Sequence, residues 1–194
     1  MDAAKVIRRM EVRIILKLCL DAFSTRFRVE RLTETALPDV LSLCRQNPLY
    51  YRHMGIAPSI ENLRDVLREV PPGKTADEKY FVGFYEGTQL AAVLDLISQY
   101  PDRETAYIGW FMMRRALQGA GIGSAIVSEL LSYLRSAHFQ CVRLGYCKGN
   151  AQAEAFWRKN GFVPTGREVR QETHTVVCMK RDLQPPDAAR LENA

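Results

Sequence analysis

Gln118-Gly119-Ala120-Gly121-Ile122-Gly123 follows an apolar run, Ala106 to Met113, and opens a helical pattern, Ile122 to Ala137. Strand, glycine turn and helix start, in that order, make an anion site. Glycines let the backbone curl tightly with no Cβ in the way. The first N–H groups of the helix lack intrahelical partners, and the helix dipole favours negative charge beside them. A diphosphate is the natural occupant. The neighbouring residues exclude two common nucleotide loops. A Walker-type loop needs Lys and then Ser or Thr after its last glycine, but Gly123 is followed by Ser124 and Ala125. A dinucleotide fold needs glycines at its first, third and sixth positions and an acid at the end of the next strand. Gly119, Gly121 and Gly123 are spaced differently, and Cys141 to Tyr146 carries no carboxylate. On its own the turn could also simply end a strand.

Outward from the turn, Phe27 to Leu32 alternates as a strand. Ala36 to Gln46 is a helix, with Thr33 or Thr35 as its cap. Ser59 caps a second helix running to Glu69, which Pro71-Pro72-Gly73 ends. Lys79 to Tyr85 and Gln89 to Ser98 form a hairpin about Glu86-Gly87-Thr88. Thr105 to Met113 and Cys141 to Tyr146 are strands. Ala151 to Asn160 is a helix stopped by Gly161 in a left-handed cap. Phe162 to Val169 and Thr173 to Lys180 close the domain as a hairpin. Antiparallel strands first, then strand–helix–strand–helix–strand, predict an α+β sheet with helices on both faces.

Length and composition bound the rest. The 194 residues suit one domain, and 47% of them are apolar, enough for a core. The net charge of +5 is mild and spread along the chain. No basic stripe with interleaved aromatics appears, which argues against nucleic acid as partner. Cys19, Cys44, Cys141, Cys147 and Cys178 form no C-x-x-C pair, and the histidines stand apart from them. Neither a disulfide framework nor a metal site is suggested, and a reduced, cytoplasmic setting fits. Lys17 and Asp21 interrupt the apolar run near the start, which is too short for a membrane span. We divide the chain into an N-terminal extension, 1–25, packing on the domain, the domain itself, 26–183, and a disordered tail, 184–194.

A second motif decides what the turn holds. Asn150-Ala151-Gln152-Ala153-Glu154-Ala155-Phe156-Trp157-Arg158-Lys159-Asn160-Gly161-Phe162 lies one strand and one helix downstream. Together the two motifs resemble the GNAT superfamily of N-acetyltransferases. Gln118, Gly121 and Gly123 match its Gln/Arg-x-x-Gly-x-Gly/Ala loop. Asn150, Ala153, Phe156, Lys159, Gly161 and Phe162 match its later helix. The resemblance runs from Phe27 to Leu183, most of the chain, and implies a mixed, largely antiparallel sheet, acetyl-CoA as acetyl donor, and transfer to an amine in one ternary complex.

By that similarity, N–H groups of Gln118, Gly119, Ala120, Gly121, Ile122, Gly123 and Ser124 would cradle the pyrophosphate. Phe111, Met112 and Met113 would pair with the pantetheine where their strand splays from Leu144-Gly145-Tyr146, with a backbone N–H near Met112 or Met113 for the oxyanion. Asn150 would bond the pantetheine, and Phe156 and Trp157 would pack near the thiol. Lys148, Arg158 or Lys159 are candidates for the outer phosphate. The family's usual acid is a tyrosine where this chain has Trp157, whose indole N–H cannot protonate sulfur. Tyr146 is a substitute candidate. Tyr107 stands where some members carry a glutamate base. Asp95, set among Val93, Leu94, Leu96 and Ile97, could bind a substrate ammonium, act as base, or be tied to backbone N–H groups. Tyr50, Tyr51, His53, Asp95, Tyr100, Trp110 and Arg170 are the expected acceptor-pocket residues, on the first two helices, the 99–104 loop and the final hairpin. They suit a small primary amine. A protein or peptide acceptor and a non-catalytic acyl-CoA-binding module are the rivals. Monomer and homodimer both stay open, and no membrane partner is expected.

Overall fold

A computed structural model of the chain describes residues 16–184. The expected extremities, 1–15 and 185–194, lie outside the described residues. Seven strands form one sheet in the order β1-β2-β3-β4-β5-β7-β6. These are β1 (Arg28–Arg31), β2 (Lys79–Glu86), β3 (Gln89–Ile97), β4 (Thr105–Met113), β5 (Cys141–Cys147), β6 (Val163–Arg170) and β7 (Thr175–Asp182). The helices are α1 (Leu37–Arg45), α2 (Pro48–Met54), α3 (Ile60–Arg68), α4 (Ile122–Ser136) and α5 (Ala151–Lys159). The expected α+β, largely antiparallel sheet is found: only β4 and β5 pair in parallel among the described strands.

Alternation along the strands divides the core in two. Tyr80, Val82, Phe84, Leu94, Leu96, Ile108, Val142 and Leu144 face one side, under Ile126, Leu130 and Leu134 of α4 and Trp157 of α5. Phe81, Val93, Trp110 and Met112 face the other, under Val40, Leu41 and Cys44 of α1 and Leu63 of α3. Part of the sequence-defined extension belongs to this core: Leu18 and Phe23 are buried on the α4 side. Hydrogen bonds from Leu18 N–H to the Tyr80 hydroxyl and from Cys19 N–H to the Tyr133 hydroxyl hold them there, each 2.7 Å long.

Two local expectations need correcting. Neither Thr33 nor Thr35 caps α1. A short 3-10 turn, Glu34–Ala36, feeds into the helix, Pro38 removes one early N–H, and the two threonine hydroxyls bond each other. A whole helix, α2, is absent from the sequence pattern. It starts at Pro48, straight after buried Asn47, and ends at Gly55, whose φ is +70°. Ser59 does cap α3, accepting from Asn62 N–H at 3.1 Å, and Gly161 takes the left-handed conformation at φ +79°.

The sheet opens at one place. β4 and β5 pair from Thr105↔Cys141 to Ile108↔Leu144 and no further. Just beyond, β4 bulges: Asp95 of β3 opposes Trp110 and Leu96 opposes Ile108, so Gly109 has no partner. A bulge bends its strand and strengthens the local twist. β4 therefore leaves β5, and a wedge opens between Gly109–Met113 and Gly145–Cys147.

Candidate functional site

Alternation decides which backbone groups face the wedge. Arg114 N–H donates to Ala91 C=O at 2.9 Å, so Met112, two residues earlier, also turns its groups to β3. Phe111 and Met113 therefore turn theirs to the wedge. Met113 C=O does so visibly, accepting from Asn47 Nδ2 at 3.0 Å and Gln118 Nε2 at 3.1 Å. Of the two expected oxyanion donors, Met112 N–H is thus directed to the sheet and Met113 N–H to the opening.

The glycine turn lies at the wedge's outer end. Gly119 and Gly121 have φ of +83° and +81°, and a Cβ on either would meet nothing within 4 Å. Backbone conformation, not space, requires glycine there. Gly123 differs: a Cβ would fall 2.6 Å from Met113 Sδ and 3.3 Å from the Phe156 ring. Its absence lets α4 lie against the wedge. The first α4 bond runs from Ala125 N–H to Gly121 C=O. The N–H groups of Ile122, Gly123 and Ser124 therefore precede the helical ladder. Gln118 departs from its expected role: its N–H already donates to Arg115 C=O. Its side chain instead bonds Met113 C=O and, at 2.7 Å, Asn47 Oδ1.

A cavity of about 580 Å³ runs through the wedge. Phe111, Met112, Met113, Gln118, Gly119, Gly121, Gly123, Ser124, Asn150, Phe156 and Trp157 line it, gathering expected cofactor residues from three elements. Ala120 and Ile122 do not line it. Asn150 caps α5 through Oδ1, accepting from Ala153 N–H at 3.1 Å, so its NH₂ is what remains to offer the cavity. The Trp157 ring packs 4.9 Å from Phe156 and 5.2 Å from Phe162. Of the expected phosphate cations, Lys159 lines the cavity, while Lys148 pairs with Glu168 and Arg158 with Glu154. Arg52 and Arg115 line it too. Sequence reasoning passes over both, together with Asn47 to Leu49.

A second cavity, about 690 Å³, lies on the α2–α3 side of the sheet at the bulge. Tyr50, Tyr51, Tyr100, Tyr107, Trp110 and Asp95 line it, with Ser59, Asn62, Leu63, Val66 and Glu69 from around α3. His53 and Arg170 do not, and the helices forming it are α2 and α3 rather than α1. Asp95 is 8% exposed and pairs with Lys79, Nζ to Oδ1 2.7 Å. That replaces the expected tie to backbone N–H groups. Burial raises the Asp95 pKa above its ordinary value, and Lys79 pulls the other way. Gly109 makes room for the carboxylate: a Cβ there would lie 2.7 Å from Oδ2. Tyr146 is brought to neither cavity. It is buried on the α4–α5 side, its hydroxyl directed to Glu154; burial, then that carboxylate, raises its pKa.

A glycine turn at a helix start, a wedge between two parallel strands and a carboxylate-lined cavity therefore adjoin at the opening of the sheet. The model of the Acetyltransferase (GNAT) family matches residues 48–162. The chain belongs to this family of N-acetyltransferases. GNAT structures share its fold. An acetyltransferase from Thermus thermophilus is 20% identical, with a TM-score of 0.62 over 80% of this chain and 96% of that one. The ribosomal-protein-S18-alanine N-acetyltransferase of Escherichia coli is 14% identical, TM-score 0.61, over 83% and 96%. A Bacillus subtilis acetyltransferase in complex with CoA is 17% identical, TM-score 0.56, over 82% and 99%. No curated protein matches in sequence. Among the described residues no helix is long and apolar enough to cross a membrane, and no group of three or more His, Cys, Asp or Glu could hold a metal.

Proposed function

We propose that this GNAT chain moves the acetyl group of acetyl-CoA to the primary amine of a small molecule, directly and in one ternary complex. The acceptor cavity carries the reading: aromatic rings wall it, and a single buried ion pair sits where β4 leaves β5. Tyr and Trp faces attract an ammonium, and Asp95 adds a carboxylate whose charge is shared with Lys79. Acetyl-CoA supplies an activated acyl carbon. The chain's residues do the rest. N–H groups of Gly119, Gly121, Gly123 and Ser124, with Arg52, Arg115 and Lys159, suit its phosphates. Phe111 turns its backbone groups to the pantetheine, as an added strand would take them, while Met113, whose C=O is held by Asn47 and Gln118, has its N–H left to offer. Met113 N–H faces the place where negative oxygen would develop. Asp95, raised in pKa, holds the amine and accepts its proton.

Fit of the donor is tested by calorimetry. Gly121→Glu puts a carboxylate into open space beside the cradle and should abolish acetyl-CoA binding; unchanged affinity overturns the assignment. Acceptor class is tested by release of free thiol with a panel of small amines against peptides beginning with Ala or Ser. The E. coli relative motivates the peptide arm. Faster turnover of peptides would replace the small-molecule reading, and binding without turnover on any amine would favour a non-catalytic module.

A further inference from the structure

Among the described residues, Tyr50 alone lines both cavities. Its ring stands 5.1 Å from Tyr51, edge-on, and 6.5 Å from Trp110 of β4. Its hydroxyl lies within electrostatic reach of Cys147, the last residue of β5. The side chain therefore stands where the two cavities meet, with its ring beside Trp110 of β4. It is also fixed there. Asn47, just before α2, is bonded to Leu43 C=O at 2.9 Å and Met113 C=O at 3.0 Å. At the other end of α2, Thr173 Oγ1 donates to Met54 C=O at 2.8 Å.

An O–H or N–H at this point would assist the departing sulfur, and the usual source is missing. Trp157 is buried in a ring cluster, and its N–H is no acid toward sulfur. Tyr146 lines neither cavity and its hydroxyl is directed to Glu154, while Tyr100 and Tyr107 line the acceptor cavity alone. We infer that Tyr50 is the general acid of the transfer, delivering its phenol proton to the departing coenzyme A sulfur. This rests on the acetyl-transfer reading above. The amine nitrogen bonds to the acyl carbon, and the carbon–sulfur bond breaks with its electron pair on sulfur. The Tyr50 proton then makes the thiol. Asp95 takes the proton lost by nitrogen, and the phenolate is reprotonated from solvent. Burial, with small additions from Cys147 and Cys44, raises the Tyr50 pKa, so the phenol is fully protonated at neutral pH.

Tyr50→Phe keeps the ring and removes only the proton donor. We expect kcat to fall about 10²-fold, within the range for a general acid, while KM for both substrates and the melting temperature stay put. A readout without turnover accompanies it: ultraviolet titration of the coenzyme A thiol bound to the protein. Hydrogen bonding from Tyr50 favours the thiolate, so the bound thiol should titrate at higher pH in Tyr50→Phe than in the wild type. Wild-type turnover by the variant, an unchanged thiol titration, or a loss confined to KM overturns the assignment. A wild-type chain inert on every amine overturns the acetyl-transfer reading as well, which separates the two failures.

Discussion

Gly109 and Asp95 illustrate how one missing carbon makes room for a buried carboxylate. The bulge puts Gly109 opposite Asp95, and Oδ2 occupies the space a Cβ would take. Gly109→Ala should push the carboxylate aside. A displacement near 1 Å costs on the order of 10² in rate, so we expect that loss in kcat/KM for the amine. Calorimetry should show acetyl-CoA affinity unchanged, because the glycine turn and the start of α4, proposed to hold the pyrophosphate, lie apart from the bulge. Lys79 raises a second question of energy. Removing one member of a buried ion pair costs about 3–5 kcal/mol, whereas replacing both by apolar groups is often neutral or stabilising. Asp95→Ala should therefore lower denaturant stability by about that much. Asp95→Leu with Lys79→Met should recover most of it and remain inactive. Equal stability of the single and double variants would show that the pair is not energetically coupled.

At the scale of elements, the short α2 does the most and was the least legible. Seven residues make too little stripe for periodicity to register. The signals that existed were chemical: Asn before Pro at a helix start, and Gly just past its end. The glycine turn and α5 were readable because their chemistry is local. The bulge was not, since it exists only once β3 and β4 are in register. Nor was the Lys79–Asp95 pair, whose members stand diagonally across β2 and β3, two positions apart in register. Asn47 ties α2 to the glycine turn through Met113 and Gln118. Asn47→Ala leaves those partners short, at about 1–3 kcal/mol, and should weaken acetyl-CoA binding in the same titration that leaves Gly109→Ala unaffected. The segment before β1 depends on Glu129 of α4, which accepts from the Ser24 hydroxyl at 2.7 Å and from Thr25 N–H at 3.1 Å. Slight burial raises the Glu129 pKa, but the Thr25 and Ser24 donors outweigh it and hold the value below normal. A depressed carboxylate contributes stability above its unfolded pKa and loses it as pH falls through the folded one. Amide exchange of residues 16–25 should therefore quicken below pH ~4 before the sheet opens. Glu129→Gln should quicken it at neutral pH.

At the scale of the whole molecule, the sheet acts as a partition with one opening. The first cavity is lined from β4, the glycine turn, α4 and α5, the second from α2, α3 and the strand faces. The two cavities adjoin at Tyr50, beside the wedge. On the proposed route, separate cavities for donor and acceptor would let both be held at once, so that a bimolecular reaction becomes effectively unimolecular, with gains of up to about 7–11 kcal/mol. No acetylated side chain is needed on this route. Initial-velocity plots against acetyl-CoA at several amine concentrations should therefore give intersecting lines, and rapid quenching followed by intact-mass measurement should find no acetylated protein. Cys147 supplies the internal control, being the thiol at the end of β5 and 3.2 Å from Met54 Sδ. Burial raises its pKa and keeps the weakly nucleophilic thiol form. Cys147→Ala should keep the intersecting pattern and most of the rate. Parallel lines in the wild type, with Cys147→Ala inactive, would require an acyl-enzyme and overturn the ternary complex.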